Sequence, residues 1–222
     1  MTQILLRASD PVTLVGGGPV DPRQLEVALR LAPEAVAADG GGNLALPGGR
    51  RFVAVIGDMD SLRDPAALAD AGVALHPIAE QDSTDLEKCL YSVEAPLFLG
   101  LGFLGGRLDH QLAAMSALAR HPAQQVVLLG GEDICFLCPP ALELDLAAGT
   151  RVSLFPMGPV AGLRSDGLRW SVAGLDFAPC GRIGTSNEAL GGPMRIAFDA
   201  PGMLVILPSS SLAHVAQRLP KP

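Results

Sequence analysis

The sequence predicts an α/β protein, with an N-terminal, mainly parallel α/β sheet domain over residues 1–139 and a small C-terminal β-sandwich over residues 140–222. Two observations lead to this prediction. Up to about residue 140, short apolar runs alternate with helical patterns, as in βαβ units. After that point, short strand-like runs are separated by Gly/Pro-rich turns with no long amphipathic helix, which is typical of a small antiparallel sandwich.

The predicted strands of the first domain are short apolar runs, at residues 12–15, 35–38, 52–56, 73–75, 97–99 and 126–129. A helix begins at Asp21-Pro22, because Asp is a good N-cap and Pro suits the first helical position. Further helices are predicted at residues 64–71, 83–93 and 108–120, the third of these four with a capping box from Thr84 to Glu87. Ligands are therefore expected at the carboxyl ends of the parallel strands.

The second domain is predicted to contain strands at residues 151–155, 168–170, 194–198 and 204–207. The chain of 222 residues is 49% hydrophobic and 18% charged, which indicates a compact globular protein. Its net charge of −7 argues against a nucleic-acid partner, because the chain has no basic stripe that could neutralise a run of phosphates.

No apolar run approaches the roughly 20 residues that span a bilayer, and the N-terminal residues lack the pattern of a secretory signal. The expected location is therefore the cytoplasm, with no membrane partner. The spacing of Cys135 and Cys138 is zinc-like, but no second Cys/His pair accompanies it. Reduced, mostly buried thiols are the favoured interpretation of all four cysteines.

Two carboxylates, Asp58 and Asp60, follow the buried strand at 52–56 directly. A turn beginning at Gly57 could bring both onto one ion, and magnesium binds through a few carboxylates together with water and phosphate oxygens. Either Asp60 or Ser61 could instead cap a short helix. Asp85, in the first turn of a helix, could add a third ligand, or its position could reflect the helix dipole alone.

Several glycine-rich turns also follow predicted strands. The segment from Ala38 to Asn43 could admit a ligand or form a solvated turn. In the segment from Gly102 to His110, backbone N–H groups and the guanidinium of Arg107 could bind an anion, while Asp109 and His110 could be an ordinary capping pair. In the second half, Trp170 is the only tryptophan of the chain.

Taken together and in this order, these motifs resemble the thiamine pyrophosphokinase family, from about residue 36 to about residue 207. The matching segments are Ala38-Asp39-Gly40-Gly41 with Asn43, Gly57-Asp58-Met59-Asp60-Ser61, Thr84-Asp85, Gly105-Gly106-Arg107-Leu108-Asp109-His110, Ser153-Leu154-Phe155-Pro156, Gly167-Leu168-Arg169-Trp170 and Ser186-Asn187. Two positions depart from the family's pattern: Ala114 stands where Asn is frequent, and Ser171 where Pro is frequent.

The resemblance implies transfer of the pyrophosphoryl group of ATP to thiamine, with Mg²⁺ as cofactor and AMP as product. It also implies a catalytic N-terminal domain, a thiamine-binding and dimerising C-terminal domain, and a homodimer with its sites at the interface. The implied metal ligands are Asp58, Asp60 and Asp85. The implied catalytic set comprises these three with Asp39, Arg107 and Asp109. The implied nucleotide contacts are Gly40, Asn43, Gly105, Gly106 and Arg107. The implied thiamine contacts are Trp170, Ser186 and Asn187.

Three alternatives remain open at this point. The first is the same chemistry on another heterocyclic alcohol, such as a hydroxymethylpterin. The second is a non-catalytic sensor of thiamine or nucleotide, which has no need of three metal-placed carboxylates. The third is a metal-dependent phosphohydrolase, which the absence of a water-activating His cluster in the sequence disfavours. Either Asp39 or Asp109 could accept the proton of the thiamine hydroxyl.

Overall fold

The computed structural model describes residues 4–45 and 52–219, which form two compact units. The first unit contains the described residues up to 117 together with residues 128–131. The second contains residues 118–127 and the described residues from 132 onward.

The first unit consists of parallel strands with helices between them. Its strands are β1 (Leu6–Arg7), β2 (Val12–Val15), β3 (Glu34–Ala38), β4 (Phe52–Gly57), β5 (Ala74–Pro77), β6 (Val93–Glu94) and β7 (Phe98–Leu101). Its helices are α1 (Pro22–Leu31), α2 (Pro65–Asp70), α3 (Asp85–Ser92) and most of α4 (Leu108–Arg120), and a 3₁₀ helix covers Asp39–Leu44. Strand β8 (Val126–Gly130) contributes its last residues to this unit.

Five strands of the first unit pair in parallel in the order β7-β2-β3-β4-β5. The three central strands are almost wholly buried, as expected for a parallel sheet covered on both faces. Because all five run in the same direction, their carboxyl ends meet at one edge. In this register Ala38 lies opposite Ile56, so the residues that follow β3 and β4 emerge side by side. The mainly parallel α/β prediction is confirmed.

Local signals in the sequence position two helices as predicted. Asp21 caps α1 by accepting a hydrogen bond from the backbone N–H of Arg23, and Pro22 is the first helical residue. At the start of α3, the hydroxyl of Thr84 accepts from the N–H of Glu87, and the Glu87 carboxylate accepts from the N–H of Thr84. This reciprocal pair fixes the residue at which α3 begins, and so places Asp85 in its first turn.

The second unit is β-rich and antiparallel, as expected for the C-terminal β-sandwich. Its strands are β9 (Asp133–Leu137), β10 (Ala141–Leu146), β11 (Arg151–Pro156), β12 (Val160–Asp166), β13 (Asp176–Phe177), β14 (Gly184–Glu188), β15 (Gly192–Phe198) and β16 (Met203–Pro208). They form two sheets, ordered β14-β11-β16-β9 and β10-β15-β12-β13. A short helix, α5 (Leu212–Arg218), follows the last strand.

One predicted strand is wrong. Residues 168–170 form a loop that carries a single isolated bridge, from Leu168 to Ala189. The run lacks the alternation of buried residues that a strand needs, because Leu168 is buried while the next two residues are exposed. The thiols follow the prediction more closely: Cys89, Cys135 and Cys138 are buried, and only Cys180 is exposed. Burial raises the pKa of Cys135 and Cys138 to about 12.

No helix within residues 4–45 and 52–219 has the length and apolar character needed to cross a membrane.

Candidate active site

The carboxyl edge of the parallel sheet in the first unit contains a cleft of about 650 Å³. It is bordered by the turns that follow β2, β3, β4 and β7 and by the first turns of α3 and α4. The predicted site residues among its lining are Asp39, Gly40, Asn43, Asp58, Asp85, Gly106 and Arg107. This is the position at which ligands bind to open α/β sheets.

Three carboxylates meet in the first unit. Asp39, Asp58 and Asp60 each offer an oxygen within 4.8 Å of the other two. Asp39 is only 5% exposed, and its Oδ1 has no hydrogen-bond partner among the described residues. A buried carboxylate oxygen without a donor is costly unless a cation or a proton neutralises it. The geometry therefore fits a hard divalent cation, which prefers carboxylate oxygens.

The backbone between Asp58 and Asp60 explains why both carboxylates reach the same place. In a regular strand, side chains two positions apart point to the same face of the sheet. Asp58 and Asp60 lie after the end of β4, so another feature of the backbone must bring their carboxylates together. Met59 adopts a left-handed conformation, with a φ of +69°, which folds the chain into a turn. The N–H of Asp60 approaches Asp58 Oδ1 at 3.4 Å, and the Ser61 hydroxyl donates to Asp60 Oδ1 at 2.8 Å.

Asp58 is also held from the segment that follows β5. The side-chain amide of Gln81 donates to Asp58 Oδ2 at 2.9 Å, and this hydrogen bond lowers the pKa of Asp58. The same segment is anchored by Glu80, which accepts hydrogen bonds from the hydroxyls of Ser83 and Tyr91. These two donors lower the pKa of Glu80 to about 2. Asp58 and Glu80 are therefore ionised at neutral pH.

Asp85 forms an ion pair with Lys88, one turn further along α3. The distance from Lys88 Nζ to Asp85 Oδ1 is 3.2 Å, and the lysine side chain is only 2% exposed. Burial raises the pKa of Asp85, although Lys88 opposes that change. For Lys88, burial acts to lower the pKa, but the hydrogen bond to Asp85 and the charges of Asp85, Asp58 and Glu80 raise it overall. The cleft therefore contains a buried cation beside its carboxylates.

Arg107 and Asp109 pair with each other before α4. Arg107 Nε lies 3.1 Å from Asp109 Oδ1, and a second guanidinium nitrogen lies 2.6 Å from Oδ2. The hydrogen bonds from Arg107 lower the pKa of Asp109, which makes its carboxylate a weak base. Both side chains are exposed, so the pair can exchange for contacts with an anionic ligand at little cost.

Asn43 joins two of the turns that border the cleft. Its Nδ2 donates to the carbonyls of Gly40 and Ser61, at 3.0 and 2.9 Å, and its Oδ1 accepts from the N–H of Arg63. The side chain therefore ties the 3₁₀ helix after β3 to the turn after β4. Gly105, with a φ of +82° and open space around its α-carbon, does not line the cleft.

The three predicted thiamine contacts lie in the second unit. Trp170 is 55% exposed, and the guanidinium carbon of Arg169 lies 5.0 Å from its ring centroid. Asn187 is buried and bonded to the backbone of Trp170. Ser186 is exposed and has a φ of +61°.

Comparison with known proteins finds a family match in the N-terminal part of the chain and another in the C-terminal part. Residues 26–128 match the family model described as "Thiamin pyrophosphokinase, catalytic domain", and residues 141–203 match "Thiamin pyrophosphokinase, vitamin B1 binding domain". The chain belongs to the thiamine pyrophosphokinase family. A rice relative, "Thiamine pyrophosphokinase 1" of Oryza sativa subsp. japonica, is 33% identical over 162 residues, covering 65% of this chain and 61% of the relative. The chain thus spans about three fifths of the length of the curated relatives it matches first.

Solved structures of the family share the fold. The thiamin pyrophosphokinase of Geobacillus thermodenitrificans superposes with a TM-score of 0.74 at 24% identity, covering 92% of this chain and 99% of that one. The yeast thiamin pyrophosphokinase also gives a TM-score of 0.74, at 18% identity, covering 99% of this chain and 94% of that one. At these identities the comparison establishes the fold alone.

Two residues of this family member's cleft were not singled out from the sequence. Lys88 follows Asp85 by three positions, the spacing of neighbours on one helix face, and this spacing was the available signal. Gln81 had no signal of its own, because its contact with Asp58 joins residues 23 positions apart. The predicted metal set was Asp58, Asp60 and Asp85, without Asp39, whereas the three carboxylates that the structure brings together are Asp39, Asp58 and Asp60.

Replacing Asp39 by asparagine is expected to stabilise the metal-free protein by about 1 kcal/mol, because it removes the charge of a buried carboxylate whose Oδ1 has no hydrogen-bond partner among the described residues. Asparagine tolerates the left-handed backbone at this position, where φ is +41°. Scanning calorimetry in EDTA and then in excess Mg²⁺ measures both effects. The variant should unfold at a higher temperature in EDTA and gain less from the metal than the wild type. An equal metal-induced shift in both proteins would exclude Asp39 as a ligand.

Proposed function

We propose that this chain transfers the pyrophosphoryl group of ATP to the primary hydroxyl of thiamine, giving thiamine diphosphate and AMP. The observation that carries the proposal is the group of three carboxylates, Asp39, Asp58 and Asp60, beside the cleft of a chain that belongs to this family. Relatives bear the name thiamine pyrophosphokinase, and the second unit matches the family's vitamin B1 binding domain.

The proposed cofactor is Mg²⁺. Asp58 and Asp60 would hold it together with Asp39. Asp85 is the fourth candidate ligand, and the nearby charges of Asp39 and Asp58 contribute to raising its pKa. When bound, the ion neutralises charge on the phosphate oxygens of ATP and helps to orient them. Gln81 contributes by holding Asp58, and Lys88 by holding Asp85.

The rest of the proposed mechanism is positioning. Arg107 exchanges its pairing with Asp109 for a phosphate, which a guanidinium can bind through two parallel hydrogen bonds. Backbone N–H groups of the turns at Gly40 and Gly106 are further donors at the cleft. Of the two proposed acceptors of the hydroxyl proton, Asp39 is favoured, because it lines the cleft and Asp109 does not.

The remaining features of the proposal concern assembly and location. We place the domain boundary between residues 139 and 140, with catalysis in the first domain and thiamine binding and dimerisation in the second. Large apolar side chains are exposed in the second unit, including Leu163, Ile183 and Leu190, and they support a homodimer. The sites would lie at the dimer interface, and the protein would act in the cytoplasm.

A single assay separates the candidate functions. The protein is incubated with ATP and Mg²⁺ and with thiamine, a hydroxymethylpterin or no acceptor, and AMP and inorganic phosphate are measured. AMP that forms only with thiamine supports the proposal, and AMP that forms only with the pterin contradicts it. Phosphate released without an acceptor indicates a hydrolase, and binding without turnover indicates a sensor. The same assay with Asp60→Asn gives the background from contaminating enzymes.

The thiamine contact is tested separately at Trp170. We expect Trp170→Ala to raise the KM for thiamine about tenfold or more, because an exposed aromatic ring that stacks on a ligand contributes on the order of 1–3 kcal/mol. The KM for ATP should change little. Trp170→Phe is the matched variant, since it keeps a ring and should retain part of the affinity. Unchanged KM for thiamine in both variants would remove Trp170 from the thiamine site.

A further inference from the structure

The side-chain amide of Asn187 forms hydrogen bonds with the backbone of the loop that carries Trp170. It is only 5% exposed. Its Oδ1 accepts from the backbone N–H of Trp170 at 3.1 Å and from the N–H of Glu188 at 2.8 Å, while its Nδ2 donates to the carbonyl of Trp170 at 2.7 Å. An amide oxygen has two lone pairs and an amide nitrogen has two hydrogens, so a single N–H remains. Asn187 is therefore committed to the backbone on both sides of Trp170.

The neighbouring residues reinforce this arrangement. The backbone N–H of Arg169 donates to the carbonyl of Glu188 at 2.8 Å, and the N–H of Leu190 donates to the carbonyl of Gly167 at 2.9 Å. The Arg169 guanidinium lies 3.5 Å from the Glu188 carboxylate and 5.0 Å from the centroid of the Trp170 ring. A cation over an aromatic face is favourable, so Arg169 occupies one face of the ring. Because Trp170 is exposed, the rest of its ring remains accessible to solvent.

Asn187 is itself positioned by an irregularity in the sheet. The register between β11 and β14 shifts between Val152 and Leu154. At that point the hydroxyl of Ser153, which is buried, accepts a hydrogen bond from the N–H of Ser186 at 3.0 Å. Ser186 adopts a left-handed conformation, and Asn187 follows it. Bulges of this kind re-aim side chains next to functional sites.

We infer that Asn187 is a positioning residue, which holds Trp170 in place so that one face of its ring is available to the substrate. This inference rests on the proposed function, in which the ring of Trp170 stacks on thiamine. It changes the role that the family resemblance implies for Asn187. The buried amide acts on the substrate through Trp170, and does not contact it.

The single tryptophan of the chain makes the inference directly measurable, because fluorescence excited selectively at tryptophan, and not at Tyr91, reports on Trp170 alone. Asn187→Asp is close in size, keeps the acceptor for the N–H of Trp170, and removes the donor to its carbonyl. We expect the fluorescence anisotropy of the substrate-free variant to fall and its quenching by acrylamide to rise. The KM for thiamine should increase about tenfold, while the KM for ATP should stay within about twofold.

Two further variants serve as controls. Asn187→Ala removes both hydrogen bonds between the Asn187 side chain and the backbone of Trp170, and it should enlarge each effect. Leu144→Ala creates a cavity in the same unit at a fully buried position on β10, so it should lower the melting temperature without changing the Trp170 anisotropy. The Leu144→Ala control separates loss of the Asn187–Trp170 hydrogen bonds from a general loss of stability of the second unit.

The outcomes discriminate between roles. A higher KM for thiamine with unchanged anisotropy means that Asn187 contacts the substrate itself, and the positioning role is wrong. Unchanged anisotropy and unchanged KM also overturn it. Lower anisotropy with an unchanged KM overturns it too, provided that Trp170→Ala raises the KM. If Trp170→Ala leaves the KM for thiamine unchanged, the proposed thiamine contact fails, and the anisotropy alone decides whether Asn187 holds Trp170.

Discussion

Replacing Asp60 by asparagine is expected to reduce AMP formation from ATP and thiamine by about 100-fold or more at saturating substrates. Such a loss corresponds to about 3 kcal/mol of transition-state stabilisation. Asp60 is the most exposed of the three clustered carboxylates, so its replacement should not disturb the fold. The amide keeps the shape of the side chain and can still accept from the Ser61 hydroxyl, so the loss would reflect the missing charge.

Initial rates of AMP release measured across a range of Mg²⁺ concentrations test this expectation. Asp70→Asn is the matched control, because it removes one exposed carboxylate from the end of α2, away from the cleft. Its rate should equal that of the wild type, and circular dichroism should show all three proteins equally folded. Near-normal turnover of the Asp60→Asn protein at saturating Mg²⁺ would show that the metal assignment is wrong.

Replacing Gly41 by alanine is expected to destabilise the protein by about 3 kcal/mol. A Cβ at this position would lie 1.9 Å from the carbonyl oxygen of Val15 and 2.7 Å from its carbonyl carbon. Both are backbone atoms at the end of a buried strand, so the contact cannot be relieved by a change of rotamer. The turn after β3 would have to separate from β2, and Asp39 would move away from the other two carboxylates.

Urea denaturation measures the change in the free energy of unfolding. Gly158→Ala is the control, because a Cβ there meets nothing within 4 Å and the backbone is not left-handed. That variant should be neutral or stabilised by about 0.5 kcal/mol, since alanine lowers the entropy of the unfolded chain. If Gly41→Ala were as stable as Gly158→Ala, the close approach of the turn after β3 to β2 would be refuted.

The sequence-based predictions succeeded where the interacting residues are close together in the sequence, and failed where they are far apart in it. The caps of α1 and α3 were predictable because Asp21 contacts Arg23 and Thr84 contacts Glu87, within three residues in each case. The loop at 168–170 was mistaken for a strand because its composition resembles one. Its actual conformation depends on Asn187, which is 17 positions away.

The carboxylates of the site show the same difference between contacts with near neighbours and contacts with distant residues. By itself, the sequence determined that Asp58 and Asp60 follow a buried strand, that Asp85 begins a helix, and that the ordered motifs resemble one family. Only the tertiary structure decided that Asp39 joins the Asp58–Asp60 pair, that Lys88 is buried against Asp85, and that Asn187 faces the backbone of Trp170. The physical reason is that helix starts and turns are set by contacts between near neighbours. The neighbours of a buried side chain are instead set by strand register and packing, which bring distant residues together.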